Sequence, residues 1–190
     1  MTPDNDAALA RAERRLALAH ELAGRALVDE PQRLWPAVAR ALIAHFACER
    51  ATVFRREEDG RLRSLYAHGL SSPLVVAPGH GCAGAAAASG RPVLVNAAGK
   101  DGRFDPTADR TTGFVTRQVL AFPLLSRGEC TGVVELLNKD GGFSQADVDD
   151  AAGEPAVGGG EVARVELDAV EDADGDDALQ PAEVIDERHL

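Results

Sequence analysis

The sequence has few aromatic residues: Phe, Tyr and Trp together fill 4% of its 190 positions. Its apolar fraction of 45% is ordinary for a globular protein, so the core is expected to consist mainly of Ala, Val and Leu. No apolar run approaches the ~20 residues needed to cross a bilayer. The first residues, MTPDNDAALARAERR, lack the charged-then-apolar order of a secretory signal. These absences predict a cytoplasmic protein with no membrane partner.

Cysteine is also scarce, and Cys48, Cys82 and Cys130 form no C-x-x-C motif. Their odd number and apolar or Gly/Ala-rich surroundings favour small buried side chains in a reduced compartment. A redox pair or a pigment-attachment thiol is the alternative. The common hydrolase motifs are missing, and the five histidines do not recur at metal-ligand spacings. The sequence therefore indicates neither an enzyme nor a metal site.

Positive charge is lacking in one part of the chain. Residues 151–190 contain twelve acidic residues and two arginines, whereas the first 150 residues carry a net charge of only −1. A near-neutral body offers no basic face for nucleic acid, so no nucleic-acid partner is expected. The domain organisation predicted is a helical segment at 1–30, a folded domain at 31–150 and an acidic, flexible tail at 151–190.

The acidic tail contains a partial calcium-loop pattern. Carboxylates occupy loop positions one, three, five and twelve of an EF-hand, at Asp172, Asp174, Asp176 and Glu183. The sixth position, where the loop needs glycine for its sharp turn, is Asp177. A solvated acidic segment is the preferred interpretation, with calcium binding as the alternative. No other cofactor is expected.

The N-terminal segment has a helical pattern over residues 5–28. Small and apolar side chains recur there at alternating intervals of three and four: Leu9, Ala12, Leu16, Ala19, Ala23 and Ala26. This heptad seam predicts either a parallel coiled coil in a homodimer or a helix packed against its own domain.

Residues 31–150 mix one amphipathic helix with several strands. The helix runs from about Arg33 to Phe46, and a second helix is predicted from Ser144, which forms a capping box with Asp147. Pro123 indicates an edge position or a bulge, because proline cannot donate to a ladder. The predicted strands are Ala51–Arg56, Leu62–Ala67, Leu74–Ala77, Pro92–Val95, Val119–Leu125 and Thr131–Leu137.

A glycine motif, G-x-G-x-x-G, covers residues 79–84. A dinucleotide site would also need a parallel βαβ unit and an acidic residue near the end of the next strand. That strand ends in Asn96, and antiparallel hairpins surround it. The motif therefore indicates a turn rather than a dinucleotide site.

Three pieces of sequence occur in a distinctive order. Asp109, Thr112, Gly113 and Thr116 form D-x-x-T-G-x-x-T, two strands follow, and then come N-K and F-x-x-x-D at 138–147. This order resembles the GAF domain of cyclic-nucleotide phosphodiesterases and cyclases, over about Arg33 to Asp147. The resemblance implies an α/β (α+β) fold, with a central antiparallel sheet of five to six strands and flanking helices.

The resemblance also implies a small-molecule pocket. Thr52 would offer a hydroxyl, Tyr66 would stack on a base, and Ala67 stands where the family often has an aspartate. The backbone amides of Cys82 and Ala83 would meet a phosphate or carboxylate. Further contacts would come from a loop above the pocket and from the penultimate strand: Asp109, Thr112, Thr116 and Glu135.

Four residues match the first four positions of the phosphodiesterase-type signature: Asn138, Lys139, Phe143 and Asp147. The resemblance implies that they form a structural lock. The fifth position of the signature is Val148 in this sequence. In the family Lys139 would pair with Asp147 and hold the strand–helix junction. A GAF domain normally continues this terminal helix, but glycines and Pro155 interrupt it here.

The function implied is a sensory or regulatory domain that binds a small molecule, with a cyclic nucleotide as the candidate. Ligand occupancy would pass through the flanking helices to an output partner that the sequence does not identify. One alternative is a ligand-free dimerisation or scaffold module. Another is reduction of free methionine sulfoxide by Cys82, which lacks a second cysteine beside it in the sequence.

Overall fold

The computed structural model describes residues 31–152, together with Ala10, Glu13, Arg14, Ala17 and Leu18, which are helical. The six residues of the heptad seam, the acidic tail beyond residue 152 and the four predicted calcium ligands lie outside the described residues. No helix within the described part of the chain combines the length and apolarity needed to cross a membrane.

The described chain folds around one sheet of six antiparallel strands, in the order β3-β2-β1-β6-β5-β4. Helices cover both sides of it, so the predicted α/β fold is confirmed. The elements are α1 (Pro31–Phe46), β1 (Cys48–Arg56), β2 (Leu62–Ala67), β3 (Val75–Val76), α2 (Gly81–Ser89), β4 (Val93–Val95), α3 (Thr107–Thr112), β5 (Val119–Ser126), β6 (Glu129–Lys139) and α4 (Gln145–Ala152).

Pro123 lies where β5 has a neighbour on one side only. The pairing of β4 with β5 ends at Ala121, so Pro123 is paired with Val133 of β6 alone. One residue later the register of β5 and β6 shifts between Leu124 and Leu125. The missing N–H of proline is tolerated here because no strand lies on the other side.

One side of the sheet is covered by α1 and α4 and is called the helix-side core. Its buried residues include Leu42, Phe46, Val53, Leu120, Phe122, Val134, Leu136 and Phe143. His45 Nε2 of α1 lies 2.9 Å from Asp150 Oδ2 of α4, which joins the two helices. Leu18 also packs against this core.

The opposite side, called the roof-side core, is covered by α2 and by residues 97–117, called the roof. The ends of the roof are joined by a hydrogen bond from Ala98 N to Arg117 O (2.9 Å). Phe104 packs from the roof onto this core. Its buried residues are mostly small or β-branched: Phe54, Leu62, Cys82, Ala83, Ala86, Val93, Val95, Ala98, Val119, Ala121 and Val133.

Candidate functional site

The sheet surface beneath the roof contains one row of small side chains around a single carboxyl group. The strand register aligns Ala67 of β2 with Thr52 of β1, Thr52 with Glu135 of β6, and Glu135 with Ala121 of β5. Residues paired in this way point to the same side of a sheet. We call these four residues the middle row.

Tyr66 does not share this surface with Thr52. The pairing of β1 and β2 shifts between Val53 and Phe54, leaving Leu65 without a partner. Tyr66 is therefore paired with Val53, and both Leu65 and Tyr66 pack against the helix-side core. A β-bulge explains the difference, because one extra residue reverses which side chains point to which face. The stacking role expected for Tyr66 is not compatible with this placement.

Glu135 is the charged residue of the middle row. Burial raises the pKa of its carboxyl group to about 7, and the nearby charge of Asp109 in the roof adds to this effect. Glu135 is half-buried, and among the described residues its carboxyl group has neither a hydrogen bond nor an ion pair. The row therefore holds a carboxyl group with free hydrogen-bonding capacity.

The roof threonines bond within the roof. Asp109 accepts hydrogen bonds from Thr116 N and Thr116 Oγ1, both at 2.7 Å. Thr112 Oγ1 donates to Ala108 O (2.9 Å) and accepts from Phe114 N (3.3 Å). Asp109, Thr112 and Thr116 are thus brought together, and their hydrogen bonds fix the end of α3 and the chain that leaves it.

Asn138 ties the end of the roof to β6. Its side chain accepts hydrogen bonds from Arg117 N (2.7 Å) and Gln118 N (3.2 Å) and donates to Val115 O (2.9 Å) and Glu49 Oε2 (3.0 Å). The residue is buried, with a left-handed φ of 55° that asparagine tolerates better than most residues.

Two contacts that the sequence reasoning missed also hold the roof. The Arg50 guanidinium lies 3.8 Å from the centre of the Phe114 ring, which is a cation–π geometry. Arg117 forms an ion pair with Glu49 of β1. Neither pair is close in sequence or belongs to a motif, and both join β1 to the end of the roof through the tertiary fold.

The junction of β6 and α4 contains the expected lock residues. Asp147 accepts hydrogen bonds from Lys139 Nζ, Ser144 N and Ser144 Oγ, and Ser144 Oγ accepts one from Asp147 N (3.3 Å). Burial by itself raises the pKa of Asp147, but these hydrogen bonds outweigh it and lower the pKa. Asn96 adds a two-way hydrogen bond with the backbone of Phe143, at 2.7 and 2.9 Å.

The first turn of α2 holds Cys82 and Ala83, both buried against the roof-side core. The N-cap residue His80 makes no side-chain cap hydrogen bond. Gly84 allows the helix to fold back on the preceding turn, because an added Cβ would lie 2.9 Å from the carbonyl carbon of Gly79. Burial, with the charge of Glu135, raises the pKa of the Cys82 thiol to about 12, so the thiol is a poor nucleophile at neutral pH.

An open cleft of about 300 Å³ lies where this turn meets the roof. His80 Nε2 and Asp105 Oδ2 approach to 3.9 Å at this cleft. Its lining residues are Gly79, His80, Gly81, Gly102, Arg103, Phe104, Asp105 and Pro106. The described residues contain no group of three His, Cys, Asp or Glu side chains that could hold a metal ion.

Known proteins resemble parts of this sequence, and solved structures resemble its fold. The probable 3′,5′-cyclic phosphodiesterase pde-5 of Caenorhabditis elegans is 40% identical over 70 residues, which are 36% of this chain and 10% of that protein. The dual 3′,5′-cyclic-AMP and -GMP phosphodiesterase 11 of Drosophila melanogaster is 34% identical over 104 residues, 54% of this chain and 6% of that protein. The chain thus spans a tenth or less of these relatives.

Solved structures with the same fold include the A. aeolicus nlh2 GAF domain in an inactive state, with a TM-score of 0.60, 18% identity and coverage of 75% of this chain and 88% of that one. Free methionine-R-sulfoxide reductase from Neisseria meningitidis has a TM-score of 0.62, 18% identity and coverage of 76% and 83%. The model of the GAF domain family matches residues 30–152. This chain belongs to the GAF domain family.

Proposed function

We propose that residues 31–152 bind a purine cyclic nucleotide between the middle row and the roof, and that this domain is regulatory rather than catalytic. The GAF domain is a small-molecule-binding regulatory fold. The observation that carries the proposal is the carboxyl group of Glu135, which has free hydrogen-bonding capacity on a floor of small side chains. The phosphodiesterases similar to this chain support a cyclic nucleotide as the ligand.

The two ends of such a ligand suit different parts of the site. A purine base carries N–H donors that match the Glu135 carboxyl group. The neighbouring side chains of Thr52, Ala67 and Ala121 are small, so they would obstruct a base at this position little. The anionic phosphate would lie at the first turn of α2, where backbone N–H groups and the helix dipole favour negative charge.

The same geometry offers a route for regulation. Asn138 is bonded to the end of the roof, and the next residue, Lys139, is bonded to Asp147 at the start of α4. A ligand that binds better to one position of the roof would therefore favour one position of the β6–α4 junction. In the proposed mechanism α4 and its contact with α1 carry ligand occupancy to an output partner.

A thermal-shift titration of the full chain with cyclic GMP and cyclic AMP tests the proposal. At a ligand concentration of about 100 Kd, binding adds about 2.7 kcal/mol to stability, which raises Tm by several degrees. Thr116→Val, which removes the hydroxyl that holds Asp109, should weaken the shift. Thr111→Val is the matched control, because the exposed Thr111 hydroxyl bonds only to Thr107 O of the same helix.

The result that would refute nucleotide binding is an unchanged Tm with both nucleotides at saturating concentration. If the nucleotide raised Tm equally in wild type and in Thr116→Val, the roof would not be part of the binding site.

A ligand-free scaffold is the second candidate, and one observation favours it. Asp109 and Thr116 bond to each other, and Thr112 bonds to the backbone of Ala108 and Phe114, so the roof needs no ligand to keep these hydrogen bonds. This candidate predicts no thermal shift with either nucleotide. It also predicts a concentration-dependent dimer that is lost when residues 1–30 are removed, which sedimentation velocity measures.

A further inference from the structure

The roof begins directly after Asn96, and the side chain of this residue holds the turn between β6 and α4. Asn96 Nδ2 donates to Phe143 O (2.7 Å), and Asn96 Oδ1 accepts from Phe143 N (2.9 Å). A backbone N–H can only donate and a carbonyl oxygen can only accept, so this pair fixes the orientation of the Asn96 amide. Asparagine is the shortest side chain that presents an amide donor and an amide acceptor together.

The turn is shaped to bring the Phe143 backbone to Asn96. Gly141 and Gly142 both have left-handed φ values, 77° and 82°, and Gly142 N donates to Lys139 O (2.8 Å). A Cβ added at Gly142 would lie only 2.9 Å from Asn96 Oδ1, so a larger residue would push the amide away. The Phe143 side chain is buried in the helix-side core, which fixes the same residue from the other side. The turn and Asn96 therefore fit each other closely.

The two ends of the roof meet at Arg117. Its carbonyl oxygen accepts from Ala98 N at the beginning of the roof (2.9 Å), and its N–H donates to Asn138 Oδ1 (2.7 Å). Asn96 lies two residues before Ala98 in the chain. One asparagine therefore holds each end of the roof, Asn138 to the end of β6 and Asn96 to the turn that follows β6.

Both connections end at the Asp147 carboxylate, in the first turn of α4. Asn138 is followed in the chain by Lys139, whose Nζ donates to Asp147 Oδ1. Phe143 is followed by Ser144, whose N–H and hydroxyl donate to Asp147 Oδ2 at 2.7 and 2.8 Å. Each oxygen of one carboxylate is thus connected to a different end of the roof.

We propose that Asn96 is a second positioning residue, which together with Asn138 transmits the position of the roof to α4. The closed ring of hydrogen bonds makes the roof ends and the first turn of α4 move as one unit. A change that favours one position of the roof would then alter the support of both oxygens of Asp147. This inference rests on the proposed function for its biological role, since it adds a connection to the route through Asn138, but its test needs no nucleotide.

Amide hydrogen exchange of the full chain, read at Val148 N in α4, tests this coupling. Thr116→Val, which removes the hydroxyl that holds Asp109, should speed this exchange at least about threefold in an otherwise wild-type chain and much less in an Asn96→Ala background. If Asn96 only stabilised the fold, the two changes would act independently and the response would be equal. Asn96 is exposed, so the alanine change removes two hydrogen bonds and little packing. Lys100→Ala, an exposed change at the same end of the roof, is the control and should leave the response unchanged.

A second measurement needs no change at Asn96. Because coupling is reciprocal, Asp147→Ala should speed exchange at Ala98 N in the roof more than at Glu57 N, which bonds to Arg61 O in the turn between β1 and β2. Asn96→Asp, which keeps the size but lacks the amide donor, should lose the Val148 response as Asn96→Ala does.

An equal Val148 response with and without the Asn96 amide, or no response to Thr116→Val in the wild-type background, would overturn the inference. Equal acceleration at Ala98 and Glu57 would do the same. The thermal-shift titration decides nucleotide binding separately. Binding without coupling would leave the proposed function standing, and coupling without binding would leave this inference standing while refuting the nucleotide.

Discussion

The two sides of the sheet use carboxyl groups in opposite ways. On the helix side, Asp147 is held by Lys139 and Ser144, and its pKa is lowered. On the roof side, Glu135 has no such partners, and its pKa is raised. Asp147 lies in α4 and is bonded to Lys139 at the end of β6, whereas Glu135 lies within β6, so the difference arises from the groups that surround each carboxyl group. We therefore expect the partnered carboxylate to stabilise the fold and the unpartnered carboxyl group to reduce stability.

The side chains on the two sides of the sheet also differ in size. The helix-side core contains Phe46, Phe122 and Phe143 and fills its space with large apolar groups. The middle row on the roof side has the small residues Ala67 of β2 and Ala121 of β5. We therefore expect mutations on the helix side to change stability without changing ligand affinity, and mutations on the roof side to change affinity more than stability.

The largest effect is expected from Leu136→Ala on the helix side of β6. Leu136 is completely buried in the helix-side core, and removing its side chain should cost about 2–5 kcal/mol of unfolding free energy. Urea denaturation measures this loss, and calorimetry below the transition should give an unchanged Kd for the nucleotide. A large loss of affinity in the folded variant would show that the two sides are not independent.

Glu135→Gln on the roof side should increase stability above neutral pH, on the order of 1–3 kcal/mol. The unfolded carboxyl group ionises near 4.5 and the folded one near 7, so wild-type stability falls as pH rises through this interval. The glutamine variant should lack this fall, as urea midpoints between about pH 4 and about pH 8 would show. The control Glu129→Gln is exposed and should retain the wild-type slope. A variant less stable than wild type at pH 8 would contradict the unpartnered state of Glu135.

Asp147→Ala should have the opposite pH signature and a smaller effect, about 1–2 kcal/mol near neutral pH. Because the folded pKa lies below the ordinary value of 3.8, the stabilisation is present above that value and is lost as pH falls below it. Thermal unfolding at neutral and acidic pH measures the difference, and Asp140→Ala, in the exposed turn before α4, serves as the control. An equal loss in both variants would assign the effect to net charge rather than to the lock.

The sequence was sufficient to predict most elements, because their signals are local. The amphipathic pattern of α1, the Asp59–Gly60 turn and the capping box at Ser144 all depend on a few neighbouring residues. The C-terminal end of α4 was less predictable from such signals. This helix continues through Ala152, and the glycine-containing sequence begins at the next residue.

The candidate site was harder to predict because it depends on register. Thr52 and Glu135 are far apart in sequence and become neighbours only through the pairing of β1 with β6. The links of Arg50 with Phe114 and of Glu49 with Arg117 likewise join distant parts of the chain and have no sequence motif. Local patterns identify strands, but they do not state which residues of two strands lie side by side.

Tyr66 shows this limit most clearly and gives the smallest expected effect. Regular alternation from Leu62 and Ser64 would place Tyr66 on the roof side, but the bulge at Leu65 turns Ala67 to that side instead. Tyr66→Leu keeps an apolar contact with the helix-side core and should cost less than about 1 kcal/mol. Nucleotide affinity should stay within about twofold of wild type, whereas Ala67→Leu, the neighbouring change on the other face, should reduce it strongly by filling the middle row. Calorimetry on both variants measures this, and a loss of affinity in Tyr66→Leu with none in Ala67→Leu would reverse the assignment of faces.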